Sequence, residues 1–421
     1  MDATTLKRAN AMPAPTWHRL DVNDVDIELP GALEPSGAGV AIEVEGLREE
    51  GCAFADAMAG LQRRIDAQNA QAAPDERAVL RAATGGEEPG NLELPALSTY
   101  EQLAVCHEVV DNVELAFECG LGGAAESWIS QAAEAAGARW TLASERGGRA
   151  RAALRLAGGD GQAAAADLAI VAAPESEVEL SLEYDSPAGG AGVAAARLRV
   201  FAGAGAQVRV ELIQTLDAGW TALDASGYVL DEGAQVQVTH RVLGAGASYT
   251  GLAADLRGAE SGIGIDTRYV GHGSNSVDFN YIVRHHGQRT RCDLNANGVL
   301  LDESRKTLRG TIDLVHGCKG SEGSERDTVL IADPRAQNRT VPVILCDEDD
   351  VAGNHGATIG HVRREQLNYL QSRGLSQKAA EGLFATAALE EAAARARSAE
   401  ARAGVARIAA GLDVPFAGIE D

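Results

Sequence analysis

From about residue 138 to Cys346 the chain alternates apolar and polar positions. Ala153-Leu-Arg-Leu156, Val178-Glu-Leu-Ser-Leu-Glu-Tyr184, Leu198-Arg-Val-Phe201 and Val208-Arg-Val-Glu-Leu212 are examples. A period of two puts every second side chain on one face of an extended strand, so each run predicts a half-buried β-strand. Gly, Asp and Asn separate the runs, and one of them returns: Gly205-Ala-Gln-Val-Arg-Val210 recurs downstream as Gly233-Ala-Gln-Val-Gln-Val238. Cys292, Cys318 and Cys346 follow one another at nearly the same interval. A repeat of this length predicts a β-helix, a solenoid whose coils stack strand upon strand, with the three cysteines at equivalent coil positions. Helical periodicity is nearly missing here, which argues against an α/β fold. A β-sandwich is the competing assignment.

The flanks follow a helical period. Leu47 to Ala67 carries Phe54, Met58, Leu61 and Ile65 at i, i+4, i+7 and i+11, predicting a helix. Val105 to Cys119 predicts another, with an Ala/Gly/Pro/Glu-rich linker, Ala72 to Pro95, between them. After Cys346, Gly360 to Arg373 presents Val362, Leu367 and Leu370 as a stripe. Gly374 follows where a left-handed cap is expected, and Ser376 can cap a second helix through Leu383, Phe384 and Ala387. Residues 389–411 are almost all Ala, Glu and Arg; they should form helix readily but bury little against the rest of the chain. Three regions result: a helical N-terminal region with linker (1–137), a β-helix core (138–346) and a C-terminal helical domain (347–421).

Composition narrows the chemistry. Aromatic residues are 4% of the chain and glycines number 48, which suits small, β-branched core residues and frequent tight turns. A net charge of −24 repels phosphate backbones and anionic lipid, arguing against nucleic-acid or membrane binding. The first residues have no apolar core of a signal peptide, and no run reaches the ~18 apolar residues that cross a bilayer. A cytoplasmic protein with reduced thiols is expected.

Sites of catalysis are hard to find. Gly317-Cys-Lys-Gly-Ser-Glu-Gly323 lacks Walker A spacing, the other glycine clusters match no dinucleotide fingerprint, and neither a Gly-x-Ser-x-Gly elbow nor His-Glu-x-x-His occurs. If ATP drives the protein's work, another subunit must hydrolyse it. His285 and His286 would face opposite sides of a strand, one packed and one solvated. His355 lies in Asp347-Glu-Asp-Asp-Val-Ala-Gly-Asn-His-Gly-Ala-Thr358, which reads as a glycine-flanked turn between the last strand and the first C-terminal helix. A neutral imidazole there could bind iron or relay a proton. Free cysteines most often pack as small hydrophobes, and core packing is expected for Cys292, Cys318 and Cys346 rather than cluster ligation.

Asn354-His-Gly-Ala-Thr-Ile-Gly360 followed by Tyr369-Leu-Gln-Ser-Arg-Gly-Leu375 resembles the C-terminal signature of the SufB/SufD family, scaffold proteins of SUF iron–sulfur cluster assembly. Arg289-Thr290, Gly298-Val-Leu-Leu-Asp302, Arg309-Gly-Thr-Ile312 and the opening Pro15-Thr-Trp-His-Arg-Leu-Asp-Val-Asn23 extend the likeness. The resemblance implies a right-handed parallel β-helix between helical regions, pairing of SufB with SufD through these cores, and docking of the SufC ATPase on the C-terminal helices. By that resemblance Leu367, Leu370, Arg373, Leu383 and Phe384 are the candidate SufC-contacting residues. Clusters are implied to form transiently at the SufB–SufD interface.

SufB-like chains carry a cysteine where Arg326 stands and a glutamate where Gly356 stands, so the resemblance favours the SufD-type branch. A guanidinium cannot carry persulfide. His355 matches the histidine of that branch and is implied as a metal ligand at the subunit interface, with thiolates from SufB. Gly353 stands where some relatives have a cysteine. The expected role is non-catalytic, with no stably bound cofactor and a homodimer when SufB is absent. The alternatives are a SufB-like scaffold that holds a cluster itself, or a β-helical polysaccharide-active enzyme.

Overall fold

The computed structural model describes residues 4–14, 22–31, 33–71, 118–361 and 363–412. At the N-terminal side, β1 (Thr5–Ala9) and β2 (Val25–Glu28) form an antiparallel pair. The short strands β3 (Glu34–Pro35), β4 (Val40–Glu45) and β5 (Leu47–Glu49) come next, then helices α1 (Ala53–Gln71) and α2 (Gly123–Ala135). From Arg139 the chain alternates between two sheets. One contains β6 (Arg139–Ser144), β8 (Gln162–Ala172), β10 (Gly192–Ala202), β12 (Trp220–Leu230), β14 (Ala247–Leu256), β16 (Ser276–His285), β18 (Arg305–Leu314) and β20 (Gln337–Cys346). The other contains β7 (Arg149–Ala157), β9 (Glu177–Asp185), β11 (Gln207–Gln214), β13 (Gln235–Val242), β15 (Gly262–Gly271), β17 (Arg291–Leu300), β19 (Ser321–Ile331) and β21 (Val351–His361). Each strand pairs in parallel with the strand two later, giving a parallel β-solenoid of about 8 turns. This excludes the sandwich, whose strands would pair antiparallel.

Coil length is not constant. A short coil brings Thr221 opposite Ala247, and a longer one brings Arg305 opposite Gln337. The repeated Gly-Ala-Gln-Val motif marks true register, since Val208 lies opposite Val236. Stacking in register places like upon like. Ala152, Leu180, Val210, Val238, Ile265 and Leu294 form one interior ladder, and Ala150, Val178, Val208, Val236, Ile263 and Cys292 another. These residues belong to one continuous core. Burying a Val, Leu or Ile side chain contributes about 1.5–3 kcal/mol. The narrow bore also explains the scarcity of aromatics. Where a ring does enter, an opposing side chain is missing: a Cβ on Gly298 would lie 2.2 Å from the Tyr269 ring.

The cysteines do not stack as their spacing suggests. Cys292 lies opposite Gly323, Cys318 sits in the turn before β19, and Cys346 lies opposite Leu314. Coils in this part, which set Ser276 opposite Arg305 and Arg305 opposite Gln337, are longer than the cysteine spacing. Cys292 and Cys318 are buried, but Cys346 is exposed, against the expectation of core packing.

The N-terminal flank is only partly helical. Leu47 begins a strand and the helix starts at Ala53, with β4 antiparallel to β7 and β5 antiparallel to β6 closing that end of the solenoid. Phe54, Met58 and Leu61 pack on Phe201 and Val229. The expected linker (72–95) and most of the 105–119 helix lie outside the described residues. At the other end the ladder runs past Cys346 to His361, so His355 sits on a strand rather than in a turn.

Among the described residues four α-helices follow: α3 (Arg364–Ser372), α4 (Gln377–Gly382), α5 (Thr386–Arg395) and α6 (Ala399–Gly411). Gly374 has φ 97°, ending α3 as expected, and the Ser376 hydroxyl accepts from Ala379 N at 3.0 Å. The Ala-rich tail, however, is not a solvated helix. Leu389, Ala392, Ala393, Val405, Ile408 and Ala409 are buried with Leu243, Val270 and Val299. Small residues allow the close approach; a Cβ on Gly404 would meet Thr215 Oγ1 at 2.3 Å. Charge then holds the helices in place. Buried Arg241 donates to Glu391 (2.7 Å) and Asp266 (2.9 Å), Arg395 reaches Glu211 (2.8 Å), and Glu183 accepts from Arg397 N at 2.7 Å.

Asp224 lies wholly inside the solenoid, and burial raises its carboxyl from 3.8 to about 7. The folded state therefore keeps a proton that the unfolded chain has released, and this group's stabilisation is complete below pH ~4 and lost as the pH rises to ~7. Asp224→Asn should remove part of the fall in stability over that interval. Urea midpoints at pH 5 and pH 8 check it; an unchanged difference between the two would refute the assignment.

Candidate functional site

The two ends of the solenoid differ. At the N-terminal end the covering strands carry Glu43, Glu45, Arg48 and Glu49, charges that discourage further pairing. At the C-terminal end β21 pairs, among the described residues, with β19 on one side only, and Val351–His361 contains no Asp, Glu, Lys or Arg. Residues 352–359 are all exposed. Interior-facing positions of this last coil have no further coil above them among the described residues: Ile359, opposite buried Val329, is 52% exposed.

His355 occupies one of these positions, directly opposite Glu325. It thus ends the ladder that begins at Ala152 and stays apolar as far as Leu294. The neighbouring ladder ends in Gly323 and Gly353, so it offers no thiol beyond Cys292. Arg326 and Gly356 lie opposite each other, side by side with the Glu325–His355 pair. On the outer face the Arg326 guanidinium donates to Asn295 Oδ1 (3.0 Å) and Asp293 Oδ1 (3.4 Å), and Ser324 also donates to Asp293 (2.7 Å).

Beneath the open coil the interior turns polar. Lys306 and Asp327, both buried, form an ion pair, and the Thr340 hydroxyl donates to Asp327 at 2.6 Å. Desolvation pulls the Lys306 ammonium down from its ordinary value, while Asp327 pushes it back up. Glu325 is 4% exposed and neither carboxylate oxygen has a hydrogen-bond partner. Burial, with Asp327 adding to it, raises Glu325 to about 7.

Cys346 is exposed, its thiol 3.3 Å from Glu348 O, whereas several other thiols and imidazoles are buried and tied up by the fold. Burial raises Cys292 and Cys318 to about 12 and lifts Cys119 as well, leaving these as thiols. His240 contacts the Tyr281 hydroxyl at 3.1 Å and His285 contacts Thr290 Oγ1 at 2.7 Å, both held neutral by burial. His286 is not solvated as expected; its Nε2 lies 3.4 Å from Asp255. Among the described residues, no three His, Cys, Asp or Glu side chains converge to hold a metal.

A second candidate surface lies on the C-terminal helices. Glu365, Gln366, Tyr369, Leu370, Leu383 and Phe384 line an open groove of about 410 Å³. Tyr369 is 61% exposed and Leu383 39%. Leu367, Leu370 and Phe384 are half-buried, and the exposed Arg373 lies over the Tyr369 ring at 5.9 Å. The groove thus brings together Leu370, Leu383 and Phe384; Leu367 and Arg373 lie beside its lining.

Comparison with known proteins points one way. Residues 155–388 match the family described as SUF system FeS cluster assembly, SufBD core domain. The chain is 32% identical over 117 residues to the iron–sulfur cluster assembly protein SufD of Bacillus subtilis, covering 28% of this chain and 27% of that protein. It is 30% identical over 86 residues to SufD of Escherichia coli (20% of each). A SufBD family protein of Pyrococcus horikoshii is 35% identical over 92 residues, covering 22% of this chain and 20% of that protein. The matched stretches therefore span about a fifth to a quarter of these relatives.

The buried ion pair under the open coil is testable by itself. Lys306→Met removes the cation paired with Asp327 and leaves a buried carboxylate uncompensated, which should destabilise the fold by about 3–5 kcal/mol. Urea denaturation at neutral pH measures this; a loss below about 1 kcal/mol would mean the pair is hydrated and not structural.

Proposed function

The chain belongs to the SufBD family of SUF-system iron–sulfur cluster assembly proteins, and on that footing we propose that it is a SufD-type scaffold subunit. In this reading it pairs with a SufB-like subunit and docks the SufC ATPase. It is itself non-catalytic and works in the cytoplasm. The observation that carries the reading is the uncharged edge of β21, free among the described residues. A sheet edge offers a row of unpaired backbone N–H and C=O groups, and a strand without charges is a natural template for a second chain. In a protein of net charge −24 such a strand stands apart. Without a SufB-like partner, the same edge would pair with its own copy and give a homodimer.

The nascent cluster is cargo, held transiently between subunits. This chain would contribute the His355 imidazole, and the partner its thiolates. Arg326 beside Gly356 supports a SufD-type over a SufB-type role, because neither side chain can carry sulfur or supply a carboxylate at the edge. ATP hydrolysis is assigned to SufC, docked on the groove between α3 and the Leu383–Phe384 turn. Nucleic acid and membrane are not partners in this reading. Charge argues against both, and among the described residues no helix is long and apolar enough to cross a bilayer.

Two outcomes test the proposal. In the complex reconstituted with SufB and SufC under anaerobic conditions, His355→Ala should lower cluster yield severalfold while assembly, followed by gel filtration, stays intact; undiminished yield removes His355 from the site. Leu383→Glu combined with Tyr369→Ala alters only exposed positions, so the melting temperature should hold while SufC co-purification is lost. Retained SufC would place the docking surface elsewhere.

A further inference from the structure

We propose that Glu325 and His355 together form this chain's half of a binding site for a divalent first-row metal ion at the open end of the solenoid. The inference rests on the scaffold reading above and adds a second donor to it. The starting observation is a cost that the fold does not explain. A carboxylate 4% exposed, with both oxygens unpartnered, is expensive to keep in an interior ladder whose earlier rungs are Ala, Leu, Val, Val, Ile and Leu. Leucine or valine at position 325 would continue that ladder. The nearby cation, Lys306, is already paired with Asp327.

The surroundings are shaped around this acid. Across the bore stands Gly310, where a Cβ would come within 2.5 Å of the Glu325 carboxyl carbon, so the carboxyl occupies space that any other residue at 310 would claim. On β21 the rung after Glu325 is His355. Register partners in a parallel sheet share a face and lie about 4.8 Å apart at Cα. The imidazole and the carboxyl are therefore neighbours on the interior side, one exposed and one just below it. A neutral imidazole with a carboxylate is a donor pair that suits Fe²⁺, Co²⁺ or Zn²⁺. Among the described residues no third His, Cys, Asp or Glu joins this pair, which leaves the remaining positions for water or a partner's groups.

The test is anaerobic titration of the full chain with Co²⁺ alone, followed by its visible absorption and by calorimetry. The wild type should bind one Co²⁺ saturably, and His355→Ala and Glu325→Gln should each weaken it by more than about tenfold. Glu325→Leu, which extends the apolar ladder, should melt no lower than wild type and lose the site as well. Wild-type protein without saturable Co²⁺ binding, or Glu325 variants that bind as wild type, would overturn the proposal. The two readings fail separately. If His355→Ala lowers cluster yield in the complex while the Glu325 variants keep Co²⁺ binding, the paired site is wrong and the scaffold role stands. If Co²⁺ binding follows both residues but the chain captures neither SufB nor SufC, the site stands and the scaffold role falls.

Discussion

In-register stacking of parallel strands is the constraint from which the rest of the molecule follows. Each rung repeats the character of the rung below because adjacent strands share register and face. A polar residue inside the bore is consequently a break in a ladder, not an isolated event. Most of the interior obeys the rule, with Leu154, Leu182 and Leu212 stacked as a block. The same ladder then passes through His240, Thr267, Ala296 and Asp327. The bore thus changes from hydrocarbon to hydrogen-bonded and charged groups toward its C-terminal end. His240 and Thr267 both meet the Tyr281 hydroxyl, and Asp327 is paired with Lys306 through one of its oxygens, so these breaks have partners. Glu325 is a break that no neighbour satisfies among the described residues.

The stack also dictates what its ends must do. A solenoid buries each coil between two others, and the terminal coils lack one neighbour. Here the N-terminal coil is closed by β4 and β5 running antiparallel, with α1 packed nearby. The C-terminal coil is left open among the described residues, and its last strand carries glycine, alanine, asparagine and histidine where an edge meant to stay alone would carry charge. The described C-terminal helices α5 and α6 do not cap this end. They return along the flank of the solenoid, where they bury alanine against Leu243, Val270 and Val299. Among the described residues that choice leaves both the edge of β21 and the groove of α3 uncovered, two surfaces on separate parts of one chain.

Much of this is legible in the residues. Alternation and the Gly-Ala-Gln-Val repeat foretell stacked strands at the coil spacing that sets Val208 opposite Val236, and Gly374 and Ser376 mark the α3–α4 junction correctly. The failures have physical causes. Coil length drifts along the solenoid because turns accept insertions, so cysteine spacing does not translate into stacked cysteines. The strand holding His355 reads as a turn, since Val-Ala-Gly-Asn-His-Gly-Ala-Thr has few β-branched residues and two glycines; register with β19, a non-local property, overrides that weak propensity. The Ala/Arg/Glu tail reads as solvated because a helix of small residues shows no large apolar stripe. Close approach at Gly404 and the ion pairs of Arg241 and Arg395 do the packing instead. Glu325 becomes visible only when Ser321–Ile331 is laid over Arg291–Leu300, which sets an acid on top of Leu294.

The polar end and the open edge are linked by energetics. Closing the end with a further apolar coil would desolvate Glu325 and His355 completely and add to the penalty already visible in the raised Glu325 pKa. Leaving it open lowers that penalty but exposes Ile359 and the β21 backbone to water. Neither state is satisfied by the described residues alone. A second chain that adds a strand to β21 would pair the backbone groups and cover Ile359. A cation brought in with it would neutralise Glu325. The two deficits lie on adjacent rungs of one stack, and a single association would relieve both. For that reason the unpaired acid and the uncharged edge are better understood as one assembly-dependent feature than as separate defects of a solenoid end.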